Sequence, residues 1–239
     1  NRTLAPQASA SAIPPPGLGV VQPFPAGHLK YFNQQRCELT NRQVTANYGP
    51  VIRDCAYNGF MTTPSYVDDR FPGPDPYAPL KDLPSFPLTS TDFVDGDRLP
   101  DELCGPDGRS PQLAWSGIPS EAKSLAVSVY DPDAPTAAGY WHWAVFNIPV
   151  STNELPASAG AKPGLGIDGA ISLRGDSGSN KYYGPNPPKG HGPHRYLYAV
   201  HAVDVERLDV PADATPTVLG FNLYFHSIAR AILWGWAEN

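Results

Sequence analysis

The side chains best suited to chemistry in this chain belong to Asp131, His142 and His194. Asp131 ends one segment with strand character, and His142 begins the next after the loop 132–141. If these strands form a hairpin, the end of one and the start of the other lie at the same edge of a sheet. A carboxylate beside an imidazole fixes its tautomer and raises its pKa, so such a pair can bind an anion, bind a metal or act as a general base.

His194 begins a third segment with strand character, directly after the loop Tyr183–Pro193 (YGPNPPKGHGP). The four prolines and three glycines of this loop predict a rigid series of turns with room for close backbone approach. A stiff loop that ends in a histidine is suited to form the wall of a small ligand pocket.

The segments that must position these residues have the pattern of buried strands. Ser124–Asp131, His142–Ile148 and Arg195–Asp204 carry apolar side chains on both faces, which is typical of strands that lie between two layers. The chain also holds 29 prolines, and each proline ring removes an amide donor and fixes φ. Long helices are therefore disfavoured, and the sequence predicts a mainly β fold with long loops.

One helix is predicted near the C-terminus. Thr215 can cap it, and Pro216 suits the first helical position. The apolar residues at helical spacing are Phe221, Phe225, Ile228 and Ile232. Gly235 would end the helix.

Several stretches of the chain, taken in order, resemble the phosphatidylethanolamine-binding-protein (PEBP), or Raf-kinase-inhibitor-like, family in its bacterial YbhB/YbcL-type branch. The stretches are FPLTSTDF (86–93), SPQLAW (110–115), DPDAP (131–135), HW with NIP (142–149), YGPNPP (183–188) and HRY (194–196). DPDAP alone would be a weak signal, whereas the elements together and in order are specific. Their order and spacing fit the family from about residue 86 to the C-terminus.

The resemblance implies a sandwich of two antiparallel sheets, with a C-terminal helix and a small anion pocket at one end. Family members bind phosphate-like anions in this pocket, including phospholipid head groups, and some regulate kinases or other partners. The pocket residues that the resemblance implies are Asp131, Pro135, His142, Gly184, Pro188, His194 and Tyr196. It implies no cofactor and no catalytic residue.

The residues alone leave three functions open. The first is non-catalytic binding of phosphorylated small molecules or head groups, which could serve regulation. The second is an acid–base enzyme, an isomerase or hydrolase, that uses Asp131 with His142 or His194; no Ser or Cys stands in a nucleophile motif such as G-x-S-x-G, which disfavours it. The third is protein interaction, with a partner or a second copy, through the N-terminal extension.

Other polar residues near these motifs have ordinary structural explanations. Asp133 is expected to orient its loop. His191 and His194 are not expected to bind zinc, because no Cys/His cluster with structural spacing surrounds them. Lys189 and Arg195 could help to bind an anion, but a solvated lysine and a paired arginine explain them equally well.

The charge of the chain argues against nucleic acid as a partner, and its hydropathy argues against a transmembrane segment. The formal net charge is -6, and the chain contains no basic stripe of the kind that binds nucleic acid. No apolar run approaches the roughly 20 residues needed to cross a bilayer, so no transmembrane segment is predicted.

Composition divides the chain into three parts. Residues 1–27 are rich in Pro, Ala and Ser and are predicted to form a flexible arm. Residues 28–85 are rich in aromatic side chains and are predicted to form an extension that packs on the PEBP-like domain at 86–239. The arm resembles the spacer that often follows an export signal, so we expect a secreted or cell-envelope protein, with a cytoplasmic location as the alternative.

The cysteine pattern predicts a disulfide between Cys37 and Cys55, with Cys104 unpaired, because only the first two lie in the extension. Closing a loop of this size would stabilise the fold by about 3 kcal/mol in the chain-entropy account. Peptide mapping without reduction should recover Cys37 and Cys55 in one linked fragment. A linked fragment that contains Cys104 would contradict the pairing.

Overall fold

The computed structural model describes Phe71 and residues 73–239. Its strands are β1 (Leu88–Thr89), β2 (Leu113–Trp115), β3 (Ser124–Asp131), β4 (Tyr140–Pro149), β5 (Glu154–Leu155), β6 (Ile171–Ser172), β7 (His194–Val203) and β8 (Ser227–Ala237). Helix α1 (Pro216–His226) lies between β7 and β8 in the chain. Short 3-10 turns occupy Asp101–Leu103, Ala159–Ala161 and Pro163–Gly166.

The strands form two antiparallel sheets. The smaller sheet has the order β1-β2-β5, and the larger has the order β6-β4-β3-β7-β8. The three central strands of the larger sheet are the three segments predicted from the sequence. β3 has the predicted bounds, and β4 and β7 differ from theirs by one or two residues. The predicted class, a mainly β sandwich with a C-terminal helix, is confirmed.

Both faces of the five-stranded sheet are covered, which explains why its central strands are apolar on both sides. The inner face packs against the smaller sheet, whose Leu113 and Leu155 belong to the same core as Val127 and Val145. On the outer face, α1 contributes to a second core, in which the members from the helix and from the sheet are Leu219, Leu223, Ala126, Ala144 and Phe146. The outer face of the sheet therefore belongs to a second hydrophobic core, separate from the core on the inner face.

A second covering of the outer face comes from the segment that precedes β1. Phe71 meets Trp234 edge to face, with ring centroids 5.4 Å apart. Further along, the N–H of Arg230 in β8 donates to the carbonyl of Pro84 at 3.0 Å. The predicted arm 1–27 and most of the predicted extension 28–85 lie outside the described residues, so both remain predictions.

The C-terminal helix is shorter than predicted. Thr215 caps it as expected, since its side chain accepts from the N–H of Val218, and Pro216 is the first helical residue. The prediction that the helix continues to Gly235 is wrong, because residues from Ser227 onwards form β8 and pair with β7 along its whole length. Residues 228–233 alternate between half-buried and buried positions, which is the period of a strand. Cross-strand pairing therefore overrides the helical spacing of Ile228 and Ile232.

The face by which α1 packs also differs from the prediction. Phe221 and Phe225 are exposed, whereas Leu219 and Leu223 are buried against the sheet. Among the described residues, no helix has the length and apolar character needed to span a membrane.

Cys104 has a free thiol, in agreement with the predicted lack of a partner. It is half-buried, with its Sγ 3.4 Å from the carbonyl oxygen of Pro100. Burial raises the pKa of this thiol to about 11, so it is uncharged and unreactive at neutral pH. Cys37 and Cys55 lie outside the described residues, and their disulfide remains a prediction.

Substitution of alanine for two glycines, Gly235 in β8 and Gly220 in α1, should change the stability of the fold in opposite directions. A Cβ at Gly235 would lie 2.5 Å from Cδ2 of Leu99 and 3.1 Å from the carbonyl oxygen of Asp97. Gly235→Ala should therefore lower the free energy of unfolding by about 1–3 kcal/mol through overpacking. Gly220→Ala in α1 should raise it by up to about 1 kcal/mol, because alanine favours the helix and nothing lies within 4 Å of the new Cβ. Urea unfolding measures both, and equal changes would contradict the packing argument.

Candidate functional site

Three strand ends bring the candidate residues together at one end of the five-stranded sheet. Asp131 is the last residue of β3, and His194 is the first residue of β7. His142 lies near the start of β4. Because β3 runs antiparallel to both neighbours, its end lies beside the starts of β4 and β7. These three residues therefore lie at the same edge of the sheet, as the predicted hairpin requires for Asp131 and His142.

The Asp131 carboxylate makes its direct contact with His194. Its Oδ2 accepts from Nδ1 of His194 at 2.8 Å, and these side chains are only 4% and 2% exposed. Its Oδ1 accepts from the N–H of Asp133 at 2.8 Å. With both oxygens engaged, the carboxylate fixes the ring of His194 so that Nε2 points away from Asp131.

His191 extends this pair into a chain of three groups. Its Nδ1 lies 2.7 Å from Nε2 of His194, and its ring is otherwise exposed. The loop can turn back in this way because Gly190 and Gly192 have positive φ, at 75° and 90°. The sequence did not predict this contact, although the three-residue spacing of His191 from His194 is a visible signal for it. No cluster of His, Cys, Asp and Glu in the described part of the chain has the geometry to hold a metal ion.

A β-bulge sets the position of His142. Val129 pairs with Trp143 and Tyr130 pairs with Trp141, so His142 is an extra residue on β4. Bulges of this kind bend a strand and redirect a side chain. The expectation that Asp131 and His142 form the pair is therefore corrected: His194 takes the carboxylate, and the bulge gives His142 a different partner.

That partner is the backbone of the Pro-rich loop. Nδ1 of His142 lies 2.8 Å from the carbonyl oxygen of Tyr183, and the N–H of Tyr183 donates to the carbonyl of His142 at 3.2 Å. Burial lowers the pKa of His142, against the opposing effects of the Tyr183 carbonyl and the Asp131 charge. The ring is therefore neutral at pH 7, with its proton on Nδ1 and a lone pair on Nε2.

Tyr196 adds a hydroxyl next to these imidazoles. Its ring meets the ring of His142 edge to face at 5.1 Å. The hydroxyl is buried and lies near the Asp131 carboxylate, but none of the described residues meets it with the distance and angle of a hydrogen bond. Burial and the nearby Asp131 carboxylate raise its pKa far above the usual value, so it keeps its proton and is available as a donor.

Gly184 is a position where no side chain fits. A Cβ there would collide with the carbonyl oxygens of Leu103 and Gly105. The N–H of Gly105 donates to the carbonyl of Pro185 at 2.6 Å, which holds the loop against the domain. Of the seven residues that the sequence placed in the pocket, five are buried at this end of the sheet, whereas Pro135 and Pro188 are exposed.

A sequence profile described as "Phosphatidylethanolamine-binding protein" matches residues 89–237. The chain belongs to this family. Among its relatives, the UPF0098 protein YbhB of Escherichia coli is 46% identical over 150 residues, which is 60% of this chain and 94% of YbhB. The UPF0098 protein YbcL of E. coli is 39% identical over 154 residues, 62% of this chain and 84% of YbcL.

Solved structures of the PEBP family share the fold. The crystal structure of E. coli YbcL, described as a member of the mammalian PEBP family, aligns with a TM-score of 0.62 at 38% identity, over 65% of this chain and 99% of YbcL. The PEBP homologue CT736 from Chlamydia trachomatis aligns with a TM-score of 0.55 at 30% identity, over 65% of this chain and 98% of CT736.

A buried ion pair lies directly behind the site in this PEBP domain. Nε and Nη2 of Arg195 donate to the two carboxylate oxygens of Asp133 at 2.8 and 2.7 Å, and the backbone N–H of Arg195 donates to Oδ2 at 2.9 Å. The two side chains are 1% and 2% exposed. Arg195 is therefore a structural partner of Asp133, and Asp133 does more than shape a turn. Lys189 is exposed.

Removal of one charge from this buried ion pair should lower the stability of the fold strongly. Arg195→Met should lower the free energy of unfolding by about 3–5 kcal/mol, because Asp133 would remain buried without a counter-charge. The matched control is Arg98→Met, which breaks an exposed pair with Asp101 and should cost at most about 1 kcal/mol. Urea unfolding of both variants measures the difference. Similar losses would show that burial does not govern the cost.

Proposed function

We propose that this PEBP domain is a binding protein for phosphate-like anions, carried by phosphorylated small molecules or phospholipid head groups. The pocket is formed by His142, His194 and Tyr196, with Asp131 behind His194. The observation that carries the proposal is the buried hydroxyl of Tyr196 beside two histidines at one sheet end. It is a donor near Asp131 that no described residue meets with full hydrogen-bond geometry. A buried donor of this kind is stabilised when an anion accepts its hydrogen bond.

The arrangement of charges favours an anion in the pocket, even though the Asp131 carboxylate lies close to it. His194 stands between Asp131 and the pocket, with Nδ1 toward the carboxylate. When the ring is protonated, the pair is neutral overall and Nε2 becomes a donor on the far side. His191, which contacts this Nε2, is exposed between two glycines and is the group that an incoming anion would replace.

His142 couples anion binding to proton uptake. Its ring is neutral in the free protein because burial lowers its pKa. An anion beside Nε2 raises that pKa, since it stabilises the charged ring. Binding therefore takes up a proton in the pH range between the lowered pKa of the free protein and the raised pKa of the complex.

The chain from Asp131 through His194 to His191 also favours a second candidate, an acid–base enzyme. A carboxylate that orients an imidazole is the arrangement found behind general bases. Turnover of a phosphate ester that is lost in His194→Gln would favour the enzyme over the binding protein. The predicted interaction through the N-terminal extension concerns residues that lie mostly outside the described part of the chain.

Tyr196→Phe separates binding from folding. The variant should keep the free energy of unfolding to within about 1 kcal/mol, because no described residue meets the lost hydroxyl with full hydrogen-bond geometry and only its interaction with the nearby Asp131 is removed. Its affinity for methyl phosphate should fall about tenfold, the effect of one hydrogen bond to a charged group. Calorimetric titration measures the affinity, and an unchanged value would remove Tyr196 from the site.

The double variant His142→Ala with His194→Ala should fold, at reduced stability because Asp131 loses its partner, and should lose methyl phosphate binding. Both side chains lie near the starts of strands next to the pocket, so their truncation removes the groups that would contact the ligand. His226→Ala is the matched control, because His226 pairs with Asp204 outside the site. Circular dichroism checks the fold. If the double variant binds as the parent protein does, the pocket lies elsewhere.

Anion binding should depend on pH in a way that differs between two ligands. Dimethyl phosphate keeps one charge, so its affinity should rise as pH falls through the His142 pKa of the complex and level off below the lowered pKa of the free protein. Methyl phosphate loses its second charge near pH ~6, so its affinity should peak closer to neutrality. Calorimetry at fixed ionic strength measures both profiles. Flat profiles would show that the histidines do not titrate with binding.

A further inference from the structure

A cavity of about 550 Å³ lies on the outer face of the five-stranded sheet, the face opposite to the candidate site. Its floor is formed by the sheet, including Ser128, Ala144 and His201. One wall is α1, and the other is the segment 76–83 that precedes β1. The volume falls within the range of about 300–1,000 Å³ that is typical of small-molecule sites.

The cavity exists because the two coverings of the outer face do not meet. Leu219 and Leu223 of α1 pack on one part of the sheet, and Phe71 packs with Leu197 and Trp234 on another. The sheet residues that line the gap include the small side chains of Ser128 and Ala144, and α1 places Gly220 on the wall. No heavy atom lies within 4 Å of a Cβ built at Gly220, so this wall faces open space.

The mouth of the cavity is unusually apolar. The described residues include seven large exposed hydrophobic side chains, and four of the seven line this cavity. These four are Leu80 (42% exposed), Phe221 (67%), Tyr224 (46%) and Phe225 (59%). Contiguous exposed apolar surface of this kind marks a binding site rather than ordinary solvent-facing surface.

Both formal charges among the described side chains that line the cavity are positive. Among the described residues that line it, Lys81 and Arg230 carry the only formal charges at neutral pH, and no carboxylate is present. Arg230 stacks over the ring of Tyr77 at 4.5 Å, which holds its guanidinium at the edge of the sheet. His201 is neutral, because burial lowers its pKa to about 3. In a chain with a net charge of -6, this local excess of positive charge selects anions.

We propose that this cavity binds a single-chain amphiphile with an anionic head group, such as a long-chain carboxylate. The chain lies against the sheet between α1 and the segment 76–83, and the head group meets Arg230 and Lys81. The apolar walls match the chain, and the two cations match the head group. This second site is independent of the anion pocket and goes beyond the function proposed for it.

The full chain should bind dodecanoate at concentrations below its micelle formation, with one ligand per chain by calorimetry. Gly220→Trp should weaken binding at least about tenfold, because Gly220 lines the cavity and an indole there would occupy part of its volume. The matched control is Val218→Trp, at an exposed position of the same helix that does not line the cavity. This control should bind as the parent chain does. Equal binding by all three proteins, or none by the parent, overturns the proposal.

Arg230→Gln tests the head group because it removes one of the two cations that line the cavity, and an uncharged ligand controls for any change in the wall. It should weaken dodecanoate binding about tenfold, the effect of one charge-assisted hydrogen bond, and leave binding of uncharged dodecyl maltoside unchanged. Inorganic phosphate should not compete, because its proposed site is on the other face of the sheet. Displacement of dodecanoate by phosphate would assign the ligand to the anion pocket, and a dimer that dissociates in Phe221→Ser would assign the face to a second copy. Either result overturns the proposal.

Discussion

Two buried carboxylates at the end of β3 hold the start of β7, and the candidate site depends on this connection. Asp131 binds the first side chain of β7, and Asp133 binds both the side chain and the backbone of the next residue. The N–H of Asp133 in turn donates to Asp131. Each charge is paired inside the protein, which is the condition under which a buried carboxylate is tolerated. Residues 131–133 at the end of β3 and residues 194–195 at the start of β7 thus form one structural unit.

The Pro-rich loop 183–193 completes the site through its backbone and not through its side chains. The carbonyl of Tyr183 sets the tautomer of His142, and the backbone around Gly184 packs too closely for any side chain. Since prolines limit the motion of the loop, the imidazole meets a carbonyl whose position is already determined. Pre-organisation of this kind lowers the conformational entropy that the protein must lose when a ligand binds.

The five-stranded sheet has different chemistry on its two faces. The inner face ends in titratable groups that are held by hydrogen bonds, whereas the outer face carries apolar surface that α1 and the segment before β1 only partly cover. Because side chains alternate along a strand, neighbouring residues such as Tyr130 and Asp131 serve opposite faces. One sheet can therefore support two separate binding surfaces without competition for the same positions.

The sequence by itself determined the three central strands of the larger sheet, the family, and the meeting of Asp131, His142 and His194 at one sheet end, because alternation, turn residues and ordered motifs are local features. It could not determine which histidine pairs with Asp131, since a one-residue bulge in β4 decides that. Nor could it show that Arg195 is committed to Asp133, or that residues after His226 leave the helix. Ile228 and Ile232 fit helical spacing and strand alternation equally well, and pairing with β7 settles the choice. Tertiary structure decided these points because each depends on partners that are distant in the chain.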